Sequence, residues 1–148
     1  MDDDITDIVI AVFRLNGTLL EAGDKLTEPF GVTSARWQVM GAIALNAKPL
    51  TIPRIAEYMG VSRQAVLKQI KLMAADGLVH QQANESHKRA DLWSLTATGD
   101  AKYADIMATQ RLQVTAWRGG LSQSEIQECT RVLASMESCI KKSSVVDA

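Results

Sequence analysis

The sequence predicts a mainly α-helical chain interrupted once by a small β-hairpin. Three observations carry that expectation. Apolar residues recur at helical spacing through most of the 148 residues. The periodicity breaks between Gly77 and Thr96, where two short β-type runs flank a tip rich in turn formers. The composition, 47% hydrophobic, and the length suit one compact domain or one domain with a helical extension, and no apolar run approaches the length of a membrane span.

The first element is a long amphipathic helix, marked by Ile5, Ile8, Val9, Val12, Leu15 and Leu19, with Asp2, Asp3 and Asp4 at its start to complement the helix dipole. Thr33-Ser34 opens a second helix, rich in Trp37, Val39, Met40 and Ile43, expected to pack between the terminal helices and the central segment. The loop Asn46-Ala47-Lys48-Pro49 follows. In the next helix Ile52, Ile55, Ala56 and Met59 fall at i, i+3, i+4 and i+7; Thr51 offers an N-cap oxygen, Pro53 sits harmlessly in the first turn, and Gly60 ends it. Ser62 caps a further helix in which Val66, Ile70 and Met73 form the inner seam and Gly77 supplies a left-handed terminus. Leu78 and Val79 then open a strand that returns through Leu92, Trp93 and Leu95. Thr96 begins a helix carrying Tyr103, Met107, Val114 and Trp117, and Gly119-Gly120 break it. Ser122-Gln123-Ser124-Glu125 is a capping box for a last helix with Ile126, Cys129, Leu133, Met136 and Ile140 on one stripe.

The stretch from Thr51 to Thr96 is the informative one. Burying Val66, Ile70 and Met73 leaves Arg63, Gln64, Lys68 and Lys71 on the opposite face of their helix, and the hairpin tip Asn84-Glu85-Ser86-His87-Lys88-Arg89 ends in adjacent cations. One helix to brace, a second to enter the major groove and a ribbon to reach the minor groove is the succession that DNA reading requires. An exposed basic face or a basic turn alone is usually only solvated; their order in one uninterrupted stretch carries the expectation.

The segments GVSRQAVLKQIKLMAADGLV and HKRADLWSLTATG resemble the MarR family of bacterial winged helix-turn-helix regulators, and the resemblance extends over essentially the whole length. It implies a winged helix-turn-helix over residues 33–96, flanked by dimerisation helices from 1–30 and 97–148 in a single domain. By position, Ser62, Arg63, Gln64, Leu67 and Lys68 would line the recognition surface and Arg89 would be the wing arginine. Lys71 and Lys88 are expected on phosphate. Where the family usually has an Asp two residues before that arginine, this chain has His87, which leaves Glu85 or Asp91 to anchor the guanidinium, or DNA itself to order it. The implied function is that of a homodimeric repressor on a pseudo-palindromic operator in double-stranded DNA. The alternative is a winged-helix adaptor or antirepressor without DNA affinity, suggested by modest positive charge and by Ala65 and Leu67 on or near the reading face. The resemblance also implies a crevice that takes an aromatic or phenolic effector, for which Phe13, Phe30, Trp37 and Met40 would be apolar walls and Arg14 or Arg36 the carboxylate partner; from the residues alone the aromatics read rather as core and the arginines as its snorkelling cover.

Charge distribution agrees better than the net value of −1. Residues 1–30 hold seven acidic side chains against Arg14 and Lys25, whereas residues 51–96 hold six basic against four acidic, a local excess of two positive charges. So few cations call for two copies on one DNA, and terminal helices with wide apolar stripes are expected to interleave with a second chain rather than close an intramolecular bundle. The acidic start lacks the basic n-region of a signal peptide, so a cytoplasmic location is expected.

Enzyme chemistry finds little support. The two histidines, His80 and His87, both fall in the hairpin, and there is no Gly-rich phosphate loop, nucleophile elbow or His-Glu-x-x-His helix. No catalytic residue, cofactor or metal is expected. Cys129 and Cys139, ten residues apart on one helix, would stand about 15 Å apart along its axis, beyond the roughly 7 Å that a disulfide spans. Cys129 is expected to be buried filler, and Cys139 to lie nearer the surface.

Overall fold

A computed structural model describes residues 3–146 of the chain. In order these are α1 (Asp3–Thr27), a 3-10 turn (Glu28–Phe30), α2 (Ser34–Asn46), α3 (Ile52–Met59), α4 (Arg63–Ala75), β1 (Val79–Gln82), β2 (Leu92–Leu95), α5 (Ala97–Arg118) and α6 (Gln123–Val146). The chain divides into two compact units, the boundary falling inside α5 between Gln110 and Arg111. Helices and hairpin stand where the sequence placed them. The expected dipole partner Asp2, and the side chains of Asp3 and Asp4, lie outside the described residues.

The larger unit is organised around α2. Val39, Met40, Gly41, Ala42 and Ile43 are all buried in succession, so this helix has no solvent stripe in its middle and packs on α1, α3, α4 and β2. Thr33 caps it by accepting from the Arg36 N–H at 3.3 Å, and Asp24 of α1 accepts the Ser34 N–H at 2.7 Å, which fixes the entry of α2 against the end of α1. Around Met40 the core collects Ile55 and Ala56 of α3, Val66, Ile70 and Met73 of α4, Leu78, Val79 and Leu95 of the hairpin, and Ile106 of α5.

Both helices of the central pair end in the same way. At α3 the Val61 N–H reaches the Ala56 carbonyl and the Gly60 N–H that of Glu57; at α4 the Leu78 N–H reaches Met73 and the Gly77 N–H reaches Ala74. This nested pair of bonds needs a left-handed residue, and Gly60 and Gly77 supply it with φ of 65° and 71°. Ser62 caps α4 as expected, accepting from the Ala65 N–H at 3.1 Å. Thr51 occupies the cap position of α3 with extended backbone, yet its side chain makes no capping bond. The expected capping oxygen is therefore not used: Pro53 has no N–H to offer it, and the Arg54 N–H, the counterpart of the donors that Thr33 and Ser62 cap, makes no bond to it.

The strands pair antiparallel, Val79 opposite Leu95 and Gln82 opposite Leu92. A third participant is not expected from the sequence: Leu50, which follows the predicted loop and belongs to no predicted element, exchanges both backbone hydrogen bonds with Trp93 at 3.0 and 2.8 Å and gives β2 a partner on its other side.

The smaller unit holds the end of α5 and all the described residues of α6, joined through Gly119-Gly120. The capping box forms in full: Glu125 accepts from the Ser122 N–H at 2.8 Å, and Ser122 accepts from the Glu125 N–H at 3.3 Å. The Ser122 hydroxyl, which also donates to the Glu125 carboxylate at 2.7 Å, and then the Ser122 N–H hold that carboxyl below the usual carboxylate range. Cys129 is exposed, not buried as expected, and so is Cys139. The stripe to which Cys129 belongs is uncovered in a single chain, with Leu133 and Ile140 also exposed.

Candidate nucleic-acid interface

The surface built by α4 and the hairpin follows from local structure. Because Val66, Ile70 and Met73 are wholly buried, the 100° step of the helix turns Arg63, Gln64, Lys68 and Lys71 outward, and all four are exposed. Leu67, 38% exposed, lies among them, and Ser62 and Ala65 are exposed at the start of the helix. None of the four polar side chains forms a hydrogen bond or ion pair within the described residues, so all of their donors are free. Some other exposed cations are committed locally, as in Lys25 to Glu21 and Arg54 to Glu57, both at 2.7 Å.

At the hairpin tip, Asn84 folds back to accept from the Ser86 N–H, and the His87 carbonyl accepts from the Ala90 N–H at 3.0 Å. Lys88 and Arg89 are therefore the two central residues of a four-residue turn, where both side chains leave the backbone into solvent. Neither Glu85 nor Asp91 pairs with Arg89 among the described residues. Of the alternatives for this departure from the family pattern, the structure shows a guanidinium with no protein anchor. His87 stands beside it in the turn, and His80 contacts Gln82 along β1 at 3.1 Å.

The end of α4 is held firmly, in contrast to its free outer face. The Thr96 hydroxyl donates to the Gly77 carbonyl at 2.6 Å, and the Thr96 N–H donates to Leu78 at 3.0 Å. The same hydroxyl accepts from the Gly99 N–H at 3.0 Å, so Thr96 both caps α5 and locks it to the exit of α4. From the other side Arg36 reaches Asp76 at 2.7 Å. Sequence reasoning assigned neither role. Thr96 was visible as a helix start, but a bond to residue 77 has no periodic signature.

The six residues expected to receive an effector are dispersed. Phe13, 73% exposed, and Arg14 stand on the open side of α1; Phe30 and Trp37 pack half-buried against the core; Met40 is wholly buried within it, and Arg36 is engaged by Asp76. Among the described residues no cluster of His, Cys, Asp and Glu is arranged to hold a metal ion, and no helix is long and apolar enough to cross a membrane.

Comparison with known proteins agrees with this geometry. A model of the MarR family matches residues 30–90, the segment that contains α2, α3, α4 and the hairpin. An uncharacterised protein of Mycobacterium tuberculosis is 34% identical over 99 residues, covering 67% of this chain and 68% of its own length. Among solved structures, the Mycobacterium tuberculosis regulator MosR in complex with DNA superposes with a TM-score of 0.72 at 22% identity, over 88% of this chain and 96% of that one. CouR of Rhodococcus jostii RHA1, bound to p-coumaroyl-CoA, does so with a TM-score of 0.78 at 21% identity, over 88% and 91%. At these identities the structural likeness is one of fold, and it extends well beyond the segment that the family model covers. The chain belongs to the MarR family of winged helix-turn-helix, DNA-binding transcription regulators.

Proposed function

We propose that the protein is a homodimeric, sequence-specific repressor that lays α4 of each protomer in the major groove of a pseudo-palindromic operator and the turn at Lys88-Arg89 in the flanking minor groove. The observation that carries this reading is the asymmetry of α4: its inner seam is wholly buried, while Arg63, Gln64, Lys68 and Lys71 face solvent with no side-chain partner among the described residues. In the proposal Ser62, Arg63, Gln64, Leu67 and Lys68 meet base edges, Lys71 and Lys88 sit on phosphate, and Arg89 enters the minor groove. The dimer is supported by the apolar side chains that a single chain leaves uncovered, among them Ile5, Leu15 and Leu19 of α1 and Leu133 and Ile140 of α6. The protein is proposed to work in the cytoplasm, with its DNA. An aromatic or phenolic acid is the proposed effector, met first by the exposed pair Phe13 and Arg14.

Selection of bound genomic fragments by the purified protein, with light scattering on the same sample, tests the reading. The expected outcome is a dimer and a near-palindrome whose half-site centres are about 34 Å apart, one turn of DNA. A well-folded monomer that enriches no sequence would contradict it and favour a winged-helix adaptor, for which the apolar Ala65 and Leu67 on the same face would be the contact.

A further inference from the structure

The one long-range ion pair described above joins two charges that each stand at the wrong end of their own helix. Arg36 lies in the first turn of α2, where the helix dipole presents its positive end and disfavours a cation. Asp76 is the C-cap of α4, where the dipole presents its negative end and disfavours a carboxylate; the last turn of α4 has no basic residue to compensate. Forty positions apart in sequence, the two meet at 2.7 Å, the Arg36 side chain 18% exposed and that of Asp76 52% exposed. The ion pairs Glu21–Lys25, Arg54–Glu57, Glu128–Arg131 and Glu137–Lys141, by contrast, each lie within one helical turn. Each member of the Arg36–Asp76 pair is unfavourable for its own helix, and water reaches the half-exposed Asp76 side and screens the attraction, so the value of the pair lies in geometry.

The geometry points to Arg36 and Asp76 as a positioning pair that sets the tilt of the recognition helix and thereby its base discrimination, a role that rests on the DNA reading proposed above. Helix α4 has 13 residues and is therefore about 20 Å long. Its last turn is gripped by Arg36 from α2 and by Thr96 from the start of α5, while its N-terminal residues Arg63, Gln64 and Lys68 project freely. With one grip loosened, the buried seam of Val66, Ile70 and Met73 still holds the helix on the core, but its tilt on that seam is no longer fixed from both sides of its last turn. A tilt of roughly 5° over this length displaces the N-terminal turn by about 1.7 Å, several times the spread of lengths that a hydrogen bond to a base edge tolerates. Contacts to phosphate, made by long flexible lysines, survive such a shift; base contacts do not.

The test measures the ratio of affinity for the selected operator to affinity for a generic duplex. It uses the parent dimer, Asp76→Asn, Arg36→Asp, Asp76→Arg, and the charge-swapped double variant Arg36→Asp with Asp76→Arg. The single variants are expected to lower the ratio about tenfold, the scale of one lost base contact, with affinity of Asp76→Asn for generic DNA and its melting temperature close to those of the parent. The swapped pair, in which each charge now also suits its helix end, is expected to recover most of the ratio. A folded Asp76→Asn with the full parental ratio would overturn the proposal, as would a folded swap no better than the single variants. Should the buried end of Arg36 make its variants unstable, Asp76→Asn alone decides. A parent that shows no preference for any operator would overturn the DNA reading and this role with it, and is distinguishable from failure of the pair because the parent is measured first.

Discussion

Gly99→Ala is expected to destabilise the protein although it places a better helix former in the first turn of α5. A Cβ on residue 99 would stand 2.1 Å from the carbonyl oxygen of Leu78 and 3.1 Å from its carbonyl carbon. Reaching even the tight limit of 3.0 Å requires the first turn of α5 and the start of β1 to separate by about 0.9 Å. The obstacle is backbone, so no rotamer change relieves it. That Leu78 oxygen accepts the Thr96 N–H at 3.0 Å, and the adjoining Gly77 oxygen accepts the Thr96 hydroxyl at 2.6 Å, so the separation stretches both bonds that lock α5 to the exit of α4. Overpacking costs about 1–3 kcal/mol and a weakened hydrogen bond about 1 kcal/mol, against a helix-propensity gain of about 1 kcal/mol for Ala over Gly. The net expectation is a loss of about 1–3 kcal/mol.

Gly41→Ala is the control. Gly41 is also buried in a helix, but its added Cβ meets only Tyr103 atoms at 3.6 and 3.8 Å, ordinary contact distances, so that variant is expected to be neutral or up to about 1 kcal/mol more stable. Urea unfolding followed by helical circular dichroism, at one fixed protein concentration because an oligomer's midpoint depends on it, reads both changes as a shift in midpoint at unchanged slope. If Gly99→Ala equalled or exceeded the parent in stability, the close approach of α5 to Leu78 would be wrong, and with it the locked exit of α4.

Three further outcomes are expected. Lys68→Ala should weaken operator binding by about 1–3 kcal/mol with the unfolding midpoint unchanged, as measured by fluorescence anisotropy; equal affinity of variant and parent removes Lys68 from the interface. Arg89→Ala should reduce affinity and flatten any preference for A·T-rich flanks while major-groove positions keep theirs, because a guanidinium in a narrow groove senses its potential and not a base code; loss of discrimination at the half-site centres with flank preference retained would contradict the wing assignment. Glu125, held below its ordinary range by Ser122, stabilises the start of α6 at pH values above the unfolded carboxylate value, and this contribution should fade as pH falls through the lowered value in the folded protein. An NMR titration of Glu125 in the parent and in Ser122→Ala checks the sign, since the variant should titrate at higher pH.

Much of the fold was legible because its elements are bounded by local chemistry. Ser62 and Gly77 delimit α4 through bonds that lie within five residues, and Val66, Ile70 and Met73 identify its buried side without knowledge of any neighbour. The exposure of Arg63, Gln64, Lys68 and Lys71 then follows by subtraction. What escaped the sequence is long-range. The bridge from Leu50 to Trp93 spans a loop and a hairpin, and nothing in Lys48-Pro49-Leu50 alternates as a strand does. Arg36 was read as a partner for an effector's carboxylate, and its engagement by Asp76 depends on how α2 crosses the end of α4. A faint signal for that pair did exist, in a cation at a helix start and an anion at a helix end. Cys129 shows the converse: a stripe reveals which face seeks cover but not whether the same chain supplies it.

The most direct test of the account is the affinity of the purified protein for its selected operator and for a generic duplex, each measured from 50 to 200 mM salt. If Lys71 and Lys88 of both protomers sit on phosphate, four contacts give a slope of log affinity against log salt of about −3.6, with the operator bound at least about a thousandfold more tightly than the generic duplex. Weak binding with a slope near zero and no preference between the two duplexes would contradict the claim that α4 and the Lys88-Arg89 turn read DNA.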